Sequence, residues 1–162
     1  MIPLVIPRAD HSISRKRIDE EALKVLYRLY RHGFLAYLVG GGARDLLLGK
    51  VPKDFDVATN AHPHEINSLF KNSRIIGRRF RLVQVFFKGG KIVEVSTFRS
   101  HSEFEETQTE EGDIIRTDSF GTPDEDAFRR DITINGLFYN IADFSIIDYV
   151  GGIADLTRQV IR

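Results

Sequence analysis

The sequence contains no cysteine. This absence excludes disulfide bonds, thiolate metal sites and a cysteine nucleophile, and it suits the reducing conditions of the cytoplasm. Long hydrophobic runs are also missing, because none approaches the roughly 20 apolar residues that a membrane-spanning helix needs. The apolar start at residues 1–7 is too short and too interrupted by proline to be a signal peptide. We therefore expect a cytoplasmic protein with no part in a membrane.

An excess of charge of either sign is lacking too. The 162 residues include 23 basic and 23 acidic side chains, which gives a formal net charge of zero. A general electrostatic nucleic-acid binder is therefore not expected, because phosphate contacts supply most of the affinity of such proteins. Charge is instead local, with basic clusters at 15–17, 78–81 and 129–130 and an acidic stretch at 103–113. Selected patches, or another part of the molecule, would have to hold any RNA.

The hydrophobic pattern predicts one mixed α+β domain, with a mixed or antiparallel sheet flanked by helices. Residues 1–17 are predicted to form an extended arm, and residues 18–162 the folded domain. We expect a first helix that Asp19 caps and Gly33 ends, because apolar residues recur between them at helical spacing. The next predicted elements are a strand at 34–39, a glycine turn at 40–42, a short helix at 43–48, a strand at 53–58 and a helix at 63–70.

Residues 100–120 show no periodicity, and we expect a long mobile loop there. The segment 122–125 has the form of a helix capping box with proline at the first helical position. The helix that starts there is predicted to continue through Phe138. The remaining predicted elements are a β-hairpin at 82–87 and 92–97 around Gly89 and Gly90, a strand at 144–149 and a helical turn at 153–156.

Two carboxylates separated by one apolar residue stand in a strand-like segment, Asp54-Phe55-Asp56-Val57. Alternate residues of a strand face opposite sides, so Asp54 and Asp56 should share one face while Phe55 and Val57 pack into the core. Carboxylates about 7 Å apart along a strand can converge on one or two divalent cations. Such hard oxygen ligands suit Mg²⁺. The alternative is a solvated turn with two exposed aspartates.

A glycine turn, Gly40-Gly41-Gly42, lies upstream of the two aspartates. Without Cβ atoms its backbone N–H groups can approach a phosphate, and the start of the following helix favours a negative charge. Arg44 adds a planar donor fork for phosphate, although it could equally pair with Asp45 or Asp54. Together the turn and the carboxylates indicate a site for a nucleoside triphosphate and its metal ions.

A two-metal site is expected to have a third carboxylate, and two residues qualify. Glu94 lies in an apolar strand, where a charged side chain needs a partner; a structural salt bridge with an arginine is the alternative to metal binding. Asp131 follows Arg129 and Arg130, and Asn135 lies about one helical turn further on. For Asp131 the alternative is an ordinary surface pairing along a helix.

These motifs, in this order, resemble the polymerase β-like nucleotidyltransferases, and most closely the bacterial poly(A) polymerase and tRNA CCA-adding enzyme family. The resemblance extends from Ile6 to Arg162. The opening at 6–15 and the stretch 75–82 look like poly(A) polymerase rather than the tRNA enzyme. Ala43, at a position where valine is commoner in the family, is a small departure. Family members continue into neck and body domains, so we expect this chain to be a head domain without them.

The resemblance implies roles for individual residues. Asp54 and Asp56 would be the metal-binding catalytic pair, with Asp131 as a further catalytic aspartate and Glu94 as the acidic residue of the neighbouring strand. The residues implied in nucleotide binding are Gly41, Gly42, Arg44, Arg130 and Asn135. Arg78 and Arg79 are possible contacts for nucleotide or RNA, the alternative being a solvated hairpin edge.

The implied activity is template-independent addition of AMP from ATP to the 3′-hydroxyl of RNA, which is polyadenylation, with two Mg²⁺ ions. One ion would bind the attacking 3′-hydroxyl and the other the leaving pyrophosphate. A CCA-adding enzyme that acts on tRNA ends is the alternative with the same chemistry. A second alternative is a head that binds a nucleotide or RNA without catalysing transfer.

Overall fold

The computed structural model describes residues 2–78, 81–108, 114–130 and 132–159. Most strands form one mixed sheet of eight strands, and the other two form a separate antiparallel hairpin. The predicted α+β fold is confirmed. In chain order the strands are β1 (Leu4–Ile6), β2 (Ala36–Val39), β3 (Asp56–Thr59), β4 (Ser73–Ile76), β5 (Leu82–Phe86), β6 (Ile92–Thr97), β7 (Arg99–Gln108), β8 (Ile114–Phe120), β9 (Leu137–Asn140) and β10 (Ile146–Asp148).

The order of strands in the large sheet is β1-β10-β9-β2-β3-β6-β5-β4. Within it β3 and β6 run parallel, whereas the other neighbouring strands are antiparallel. The α-helices are α1 (Glu20–Arg31), α2 (Gly40–Leu47), α3 (Pro63–Leu69), α4 (Pro123–Phe128) and α5 (Gly152–Arg158). None of them, in the described part of the chain, is both long enough and apolar enough to cross a membrane.

Helix α1 forms where the sequence predicts it. The Asp19 carboxylate accepts hydrogen bonds from the backbone N–H of Glu21 at 2.9 Å and of Ala22 at 3.4 Å, so it caps the helix. Gly33, with φ of +87°, ends it in a conformation that favours glycine. The buried side of α1 carries Val25, Leu26 and Leu29, which pack on the sheet.

Both faces of the sheet contribute to a core. On one face Leu38 and Val95 pack with α1 and α3 in the larger cluster. On the other face Tyr37 and Phe138 pack with Ala127 of α4 in a smaller cluster. Further along this second face polar side chains stand at Asp56 of β3, Glu94 of β6 and Gln84 of β5, and none of these three is buried.

The first residues are attached to the domain more closely than an extended arm implies. Strand β1 pairs with β10 at the edge of the large sheet. Short 3₁₀ helices follow at Arg8–Asp10 and Arg15–Arg17. Ile13 is 1% exposed and belongs to the main core. The segment is therefore extended only in part, and it contributes a strand and a core residue.

Two predicted elements of the second half are wrong. Residues 100–120 were expected to be a loop, but β7 and β8 pair as an antiparallel hairpin on either side of residues 109–113, which lie outside the described residues. The helix from the capping box ends at Phe128 instead of continuing to Phe138. The β-branched Ile132 has extended backbone, with φ of −135° and ψ of 146°, and a separate 3₁₀ helix follows at Thr133–Asn135, so the helical conformation does not continue to Phe138.

Two predicted boundaries near the aspartates also shift. The glycines 40–42 form the first turn of α2 instead of a turn before it. Strand β3 starts at Asp56, so Asp54 precedes it. The physical reason is the same for both. β2 ends at Val39, the register partner of Asp56, and Gly40, with φ of +68°, then turns the chain away, leaving Asp54 no strand to pair with.

Candidate active site

Asp54 and Asp56 project to the same side although only Asp56 belongs to a strand. Both are exposed, whereas Phe55 between them and Val57 after them are buried at 9% and 0% exposure. The two aspartates line one cavity of about 340 Å³ together with Gln84, Ile92 and Glu94. The alternation expected from the sequence is thus observed, and both carboxylates face a common space.

Glu94 stands beside Asp56 because of the strand register. Glu94 in β6 is the direct partner of Asp56 in the parallel pair, and on its other side it is the partner of Gln84 in β5. Among the described residues no arginine or lysine forms an ion pair with Glu94. The alternative role in a structural salt bridge therefore has no support in the described part of the chain.

The pKa of Asp56 is raised by the surroundings of its carboxyl group. The cavity leaves Asp56 open to solvent on one side, but protein surrounds it elsewhere, and this partial burial raises its pKa above the ordinary value. The negative charges of Glu94 and, to a smaller extent, Asp54 raise it further, whereas Arg130 lowers it. A group of like charges held together in this way favours the entry of cations.

The carboxylates do not form a ready-made cage for one ion. In the described ranges no three His, Cys, Asp or Glu side chains are placed to hold a metal ion together. Mg²⁺ does not need such a cage, because it usually binds one or two carboxylates and completes its octahedron with water and substrate phosphate. The hard oxygen donors of Asp54 and Asp56, open to a cavity, fit that pattern.

The glycine segment lies directly against the aspartates. A Cβ atom added at Gly42 would be 3.2 Å from the backbone oxygen of Asp54, and one added at Gly40 would be 3.9 Å from Asp56 Oδ2. The first N–H groups of α2 have no partner within the helix and carry its positive end. The predicted proximity of glycine segment and carboxylates is therefore observed, with the start of a helix beside them.

Arg44 in α2 is held in place by two neighbours. Its Nε and Nη2 donate to Asp45 Oδ1 at 3.2 and 3.1 Å, as one of the alternatives anticipated. Its Nη1 donates to Asn135 Oδ1 at 3.1 Å, so a residue from the far end of the chain joins the site. The guanidinium lies against Gly41, whose added Cβ would be 3.2 Å from Nη2. Arg44 and Asn135 thus act as one unit beside the glycines.

Arg130 approaches from the opposite side. Its Nη2 donates to Asp126 Oδ2 at 2.9 Å, and its guanidinium lies 5.8 Å from the centre of the Phe138 ring. Nη1 would be 3.6 Å from a Cβ added at Gly40. Arg130 Nε is buried and has no hydrogen-bond partner among the residues that the structure describes. The side chain is therefore fixed near the helix start with donor capacity left over.

The remaining predicted residues are placed less closely or not at all. Asp131 and Arg79 lie outside the described residues. Arg78 is exposed and follows β4, the edge strand that lies beyond β5 and β6 as seen from β3. It does not line the cavity of the aspartates.

Sequence reasoning missed two residues of the site. Gln84 lines the cavity next to Glu94, and the predicted hairpin contained the signal, since its register places Gln84 opposite Glu94. Asp126 is 1% exposed and accepts hydrogen bonds from Arg129 Nε at 3.0 Å and from Arg130 Nη2 at 2.9 Å. Its spacing of four residues before Arg130 on a helix was the available signal.

Comparison with known proteins places this geometry in a family. Residues 36–162 match the family described as "Poly A polymerase head domain". The chain is 57% identical to Poly(A) polymerase I of Salmonella typhi over 164 aligned residues, which cover 98% of this chain and 35% of that protein. It is 38% identical to a CCA-adding enzyme of Bacillus pumilus, over 87% of this chain and 34% of that enzyme.

A solved structure, the CCA-adding enzyme of Bacillus stearothermophilus in complex with CTP, has the same fold. The TM-score is 0.71 at 35% sequence identity, and the match covers 88% of this chain and 32% of that chain. The chain thus spans about a third of the length of the curated relatives that it matches. On the family match and these identities, the chain belongs to the family of poly(A) polymerase head domains.

Proposed function

We propose that this chain is the catalytic head of an enzyme that transfers AMP from ATP to the 3′-hydroxyl of RNA without a template. The observation that carries the proposal is the common cavity of Asp54, Asp56 and Glu94, next to the glycine start of α2. Carboxylates that attract divalent cations and a helix start that attracts phosphate occupy adjacent positions. A nucleoside triphosphate with its metal ions needs both.

Asp54 and Asp56 would hold the two Mg²⁺ ions, with Glu94 as the nearest further carboxylate. When bound, such ions lower the pKa of an attacking hydroxyl and neutralise charge on the phosphates. The chain contributes the negative field that keeps the ions in the cavity. Asp131 is proposed as a further catalytic aspartate on its position after Arg130 in the sequence.

The triphosphate would be held by the backbone N–H groups at Gly41 and Gly42 and by Arg44 and Arg130. Asn135 accepts a hydrogen bond from Arg44 and so holds the Arg44 guanidinium in place. Asp126 accepts a hydrogen bond from Arg130 and so holds the Arg130 guanidinium in place. In phosphoryl transfer the protein mainly positions groups and stabilises charge, and two fixed arginines beside a helix start serve that purpose.

The RNA would reach this cavity with its 3′ end. Gln84 is the register partner of Glu94, which is the partner of Asp56. Its side-chain amide can donate and accept hydrogen bonds to the RNA without adding charge. Arg78 and Arg79 are proposed as further contacts for nucleotide or RNA. A cytoplasmic location is part of the proposal and suits a chain without cysteine.

Adenylate addition is favoured over CCA addition by similarity. Identity reaches 57% with Poly(A) polymerase I of Salmonella typhi and 38% with the CCA-adding enzyme of Bacillus pumilus. The test is primer extension by the full-length protein with each of the four nucleoside triphosphates. The two RNA substrates are an oligoribonucleotide and a tRNA that lacks its CCA end. We expect long adenylate tails on the oligoribonucleotide, whereas addition of CCA to the tRNA alone would refute polyadenylation.

The role of the aspartates is tested in the same assay. Asp54→Ala and Asp56→Ala should each abolish Mg²⁺-dependent extension while the circular dichroism spectrum stays that of the wild type. Extension at the normal rate by either variant would refute the metal assignment. Calorimetry separates catalysis from mere binding, since Mg²⁺-dependent ATP binding without any turnover by the full-length protein would indicate a non-catalytic module.

A further inference from the structure

A basic groove lies on the side of the sheet that α1 and α3 cover. Three adjoining cavities of about 460, 460 and 600 Å³ form it, and the Phe87 side chain lines all three. Its walls are the exposed side of α1, the loop after α3 and the turn between β5 and β6. We call this surface the α1 groove; its charged residues are Glu21, Lys24, Arg28, Arg31, Lys71 and Lys88.

The α1 groove carries an excess of positive charge that the chain as a whole does not have. Five of these six charged residues are cations, whereas the whole chain has a formal net charge of zero. The one acidic member, Glu21, lies 3.8 Å from Lys91 Nζ and is partly neutralised by it. In the described part of the chain none of the five cations forms an ion pair. Their charge therefore remains available to a ligand.

Helix geometry places these cations in a row. Lys24, Arg28 and Arg31 have the spacing of one helical stripe, and all three are exposed. Arg28 Nη1 donates to the backbone oxygen of Leu69 at 3.0 Å, so this side chain is held in the groove. A fixed row of cations along a groove matches the repeated negative charge of a nucleic-acid backbone.

Aromatic rings alternate with the cations. The Arg28 guanidinium lies 5.5 Å from the centre of the Phe70 ring, and that of Arg31 lies 5.6 Å from the centre of the Tyr27 ring. At the far wall the partly buried Phe87 lines all three cavities. Partly exposed rings among cations, here Tyr27 and Phe87, are elements with which proteins hold single-stranded nucleic acid, because bases can stack on them.

The α1 groove and the active site meet at one turn. The 3₁₀ turn Lys88–Gly90 connects β5 to β6. Lys88 lines the groove, whereas Gly90 and the following Lys91 line a small cavity that also contains Asp54. An RNA chain that has its 3′ end at the aspartates and follows this turn would enter the groove.

We propose that the α1 groove binds single-stranded RNA upstream of its 3′ end, on the far side of the β5–β6 turn from the active site. The proposal rests on the proposed function for the choice of RNA. The combination of rings and cations favours single-stranded RNA over an acidic protein, which the cations alone would suffice to bind. Bound in this way, the RNA is held by sugar, phosphate and ring contacts that tolerate any sequence.

The test measures binding of a fluorescein-labelled 20-nucleotide oligoadenylate by anisotropy, in EDTA and without ATP. The test variant combines Lys24→Gln, Arg31→Gln and Lys71→Gln, which remove three exposed cations and spare the hydrogen bond of Arg28. The matched control combines Lys16→Gln, Lys50→Gln and Arg158→Gln, which remove the same charge at exposed positions outside the groove. Unfolding temperatures of both variants are compared with that of the wild type.

We expect the groove variant to bind about tenfold more weakly at moderate salt, and the control to bind as the wild type does. The slope of log K against log salt should fall in magnitude by about 2, since each lost phosphate contact on a single strand is worth about 0.7. Equal affinity and equal slope in the groove variant and the control would overturn the proposal. The same outcome is expected if the α1 groove binds an acidic protein instead of RNA.

Cross-linking of the wild type keeps the proposal testable if the triple variant fails to fold. Oligoribonucleotides with 4-thiouridine upstream of the 3′ end should cross-link to Tyr27 or Phe87. Cross-links confined to other peptides would overturn the proposal. Because binding is measured without ATP or Mg²⁺, it stands apart from catalysis: binding in the groove without any primer extension would refute the proposed function and leave the groove in place.

Discussion

Asp56 lies directly opposite Glu94 on adjacent parallel strands. Neighbouring strands are about 4.8 Å apart, so the register alone brings two negative charges together. Burial and these like charges raise the pKa of Asp56 above its ordinary value. The arrangement is unfavourable for the chain alone and becomes favourable when a divalent cation enters. A cluster of like charges of this kind should have a measurable effect on stability.

Asp56→Asn is therefore expected to stabilise the metal-free chain at neutral pH. A carboxyl whose pKa is higher in the folded than in the unfolded state destabilises the fold when it is ionised, and this destabilisation disappears as the pH falls towards the ordinary value of 3.8. The melting temperature of the variant in EDTA should exceed that of the wild type by a few degrees at pH 7. The difference should shrink as the pH is lowered towards 4.

Added Mg²⁺ supplies the control for this prediction. Binding to the folded state raises the melting temperature of the wild type. The variant should gain little, so the difference between the two should narrow or reverse as Mg²⁺ increases. A variant that is less stable than the wild type in EDTA at pH 7 would contradict the electrostatic account.

Gly42→Ala should reduce catalysis without unfolding the chain. The added Cβ would lie 3.2 Å from the backbone oxygen of Asp54 and 3.7 Å from Phe55 Cδ1, so the backbone that presents the aspartates must move by a few tenths of an ångström. Misplacement of about 1 Å can cost roughly a hundredfold in rate, so we expect a loss of about tenfold in kcat. The measurement is steady-state primer extension together with the melting temperature.

Gly41→Ala is the matched control. Its added Cβ would be equally close, 3.2 Å, but to Nη2 of Arg44 and not to the backbone of Asp54. We therefore expect a higher KM for ATP but a smaller loss of kcat than in the Gly42 variant. If both variants lost the same fraction of kcat, the contact between Gly42 and the backbone of Asp54 would not be what positions the aspartates.

Much of the site was predictable because it depends on local alternation and order along the chain. The burial of Phe55 and Val57, which alternate with the exposed Asp54 and Asp56, follows from the period of two in an extended chain. The hairpin around Gly89 and Gly90 formed as predicted, and these glycines adopt φ of +80° and +79°. In each case a few adjacent residues determine the outcome.

The predictions that failed concern contacts that leave no signal in the local residue pattern. The pairing of β7 with β8 satisfies backbone groups, and a polar composition without periodicity gives no sign of it. Asn135 was expected on a helix with Arg130, yet it meets Arg44, 91 residues away along the chain. The start of β3 at Asp56 was set by where β2 ends, which no feature of residues 53–58 reveals.

Asp126→Ala should destabilise the chain strongly. Asp126 is 1% exposed and accepts hydrogen bonds from Arg129, Arg130 and, at 3.0 Å, the backbone N–H of Arg99. Removing one partner of a buried ion pair leaves the other uncompensated and costs about 3 kcal/mol. For a chain of this size that corresponds to roughly 6–12 °C in melting temperature.

The exposed Asp10 provides a comparison, since Asp10→Ala should change the melting temperature by no more than a degree or so. Asp126→Asn keeps an acceptor for the Arg99 N–H but removes the charge that holds Arg130. Its KM for ATP should rise even where it stays folded. An Asn variant with unchanged KM would separate Arg130 from nucleotide binding.

Gln84→Ala tests whether Gln84, the register partner of Glu94, contacts a substrate. Gln84 lines the cavity beside Glu94 and has no side-chain hydrogen bond within the described residues, so its amide is free for substrate. Loss of one hydrogen bond of about 0.5–1.5 kcal/mol predicts a fall in kcat/KM of roughly threefold to tenfold. Primer extension at varied RNA and ATP concentrations measures which substrate is affected.

Gln84→Glu should be worse than Gln84→Ala, because a further carboxylate beside Glu94 repels the triphosphate and raises the pKa of Asp56 again. Arg74, the next register partner on the edge strand β4, lies outside the cavity and serves as the control. Arg74→Ala should extend primers as the wild type does. If Gln84→Glu were as active as the wild type, Gln84 could not contact a substrate, since a negative charge added beside Glu94 must weaken the binding of a phosphate-bearing substrate there.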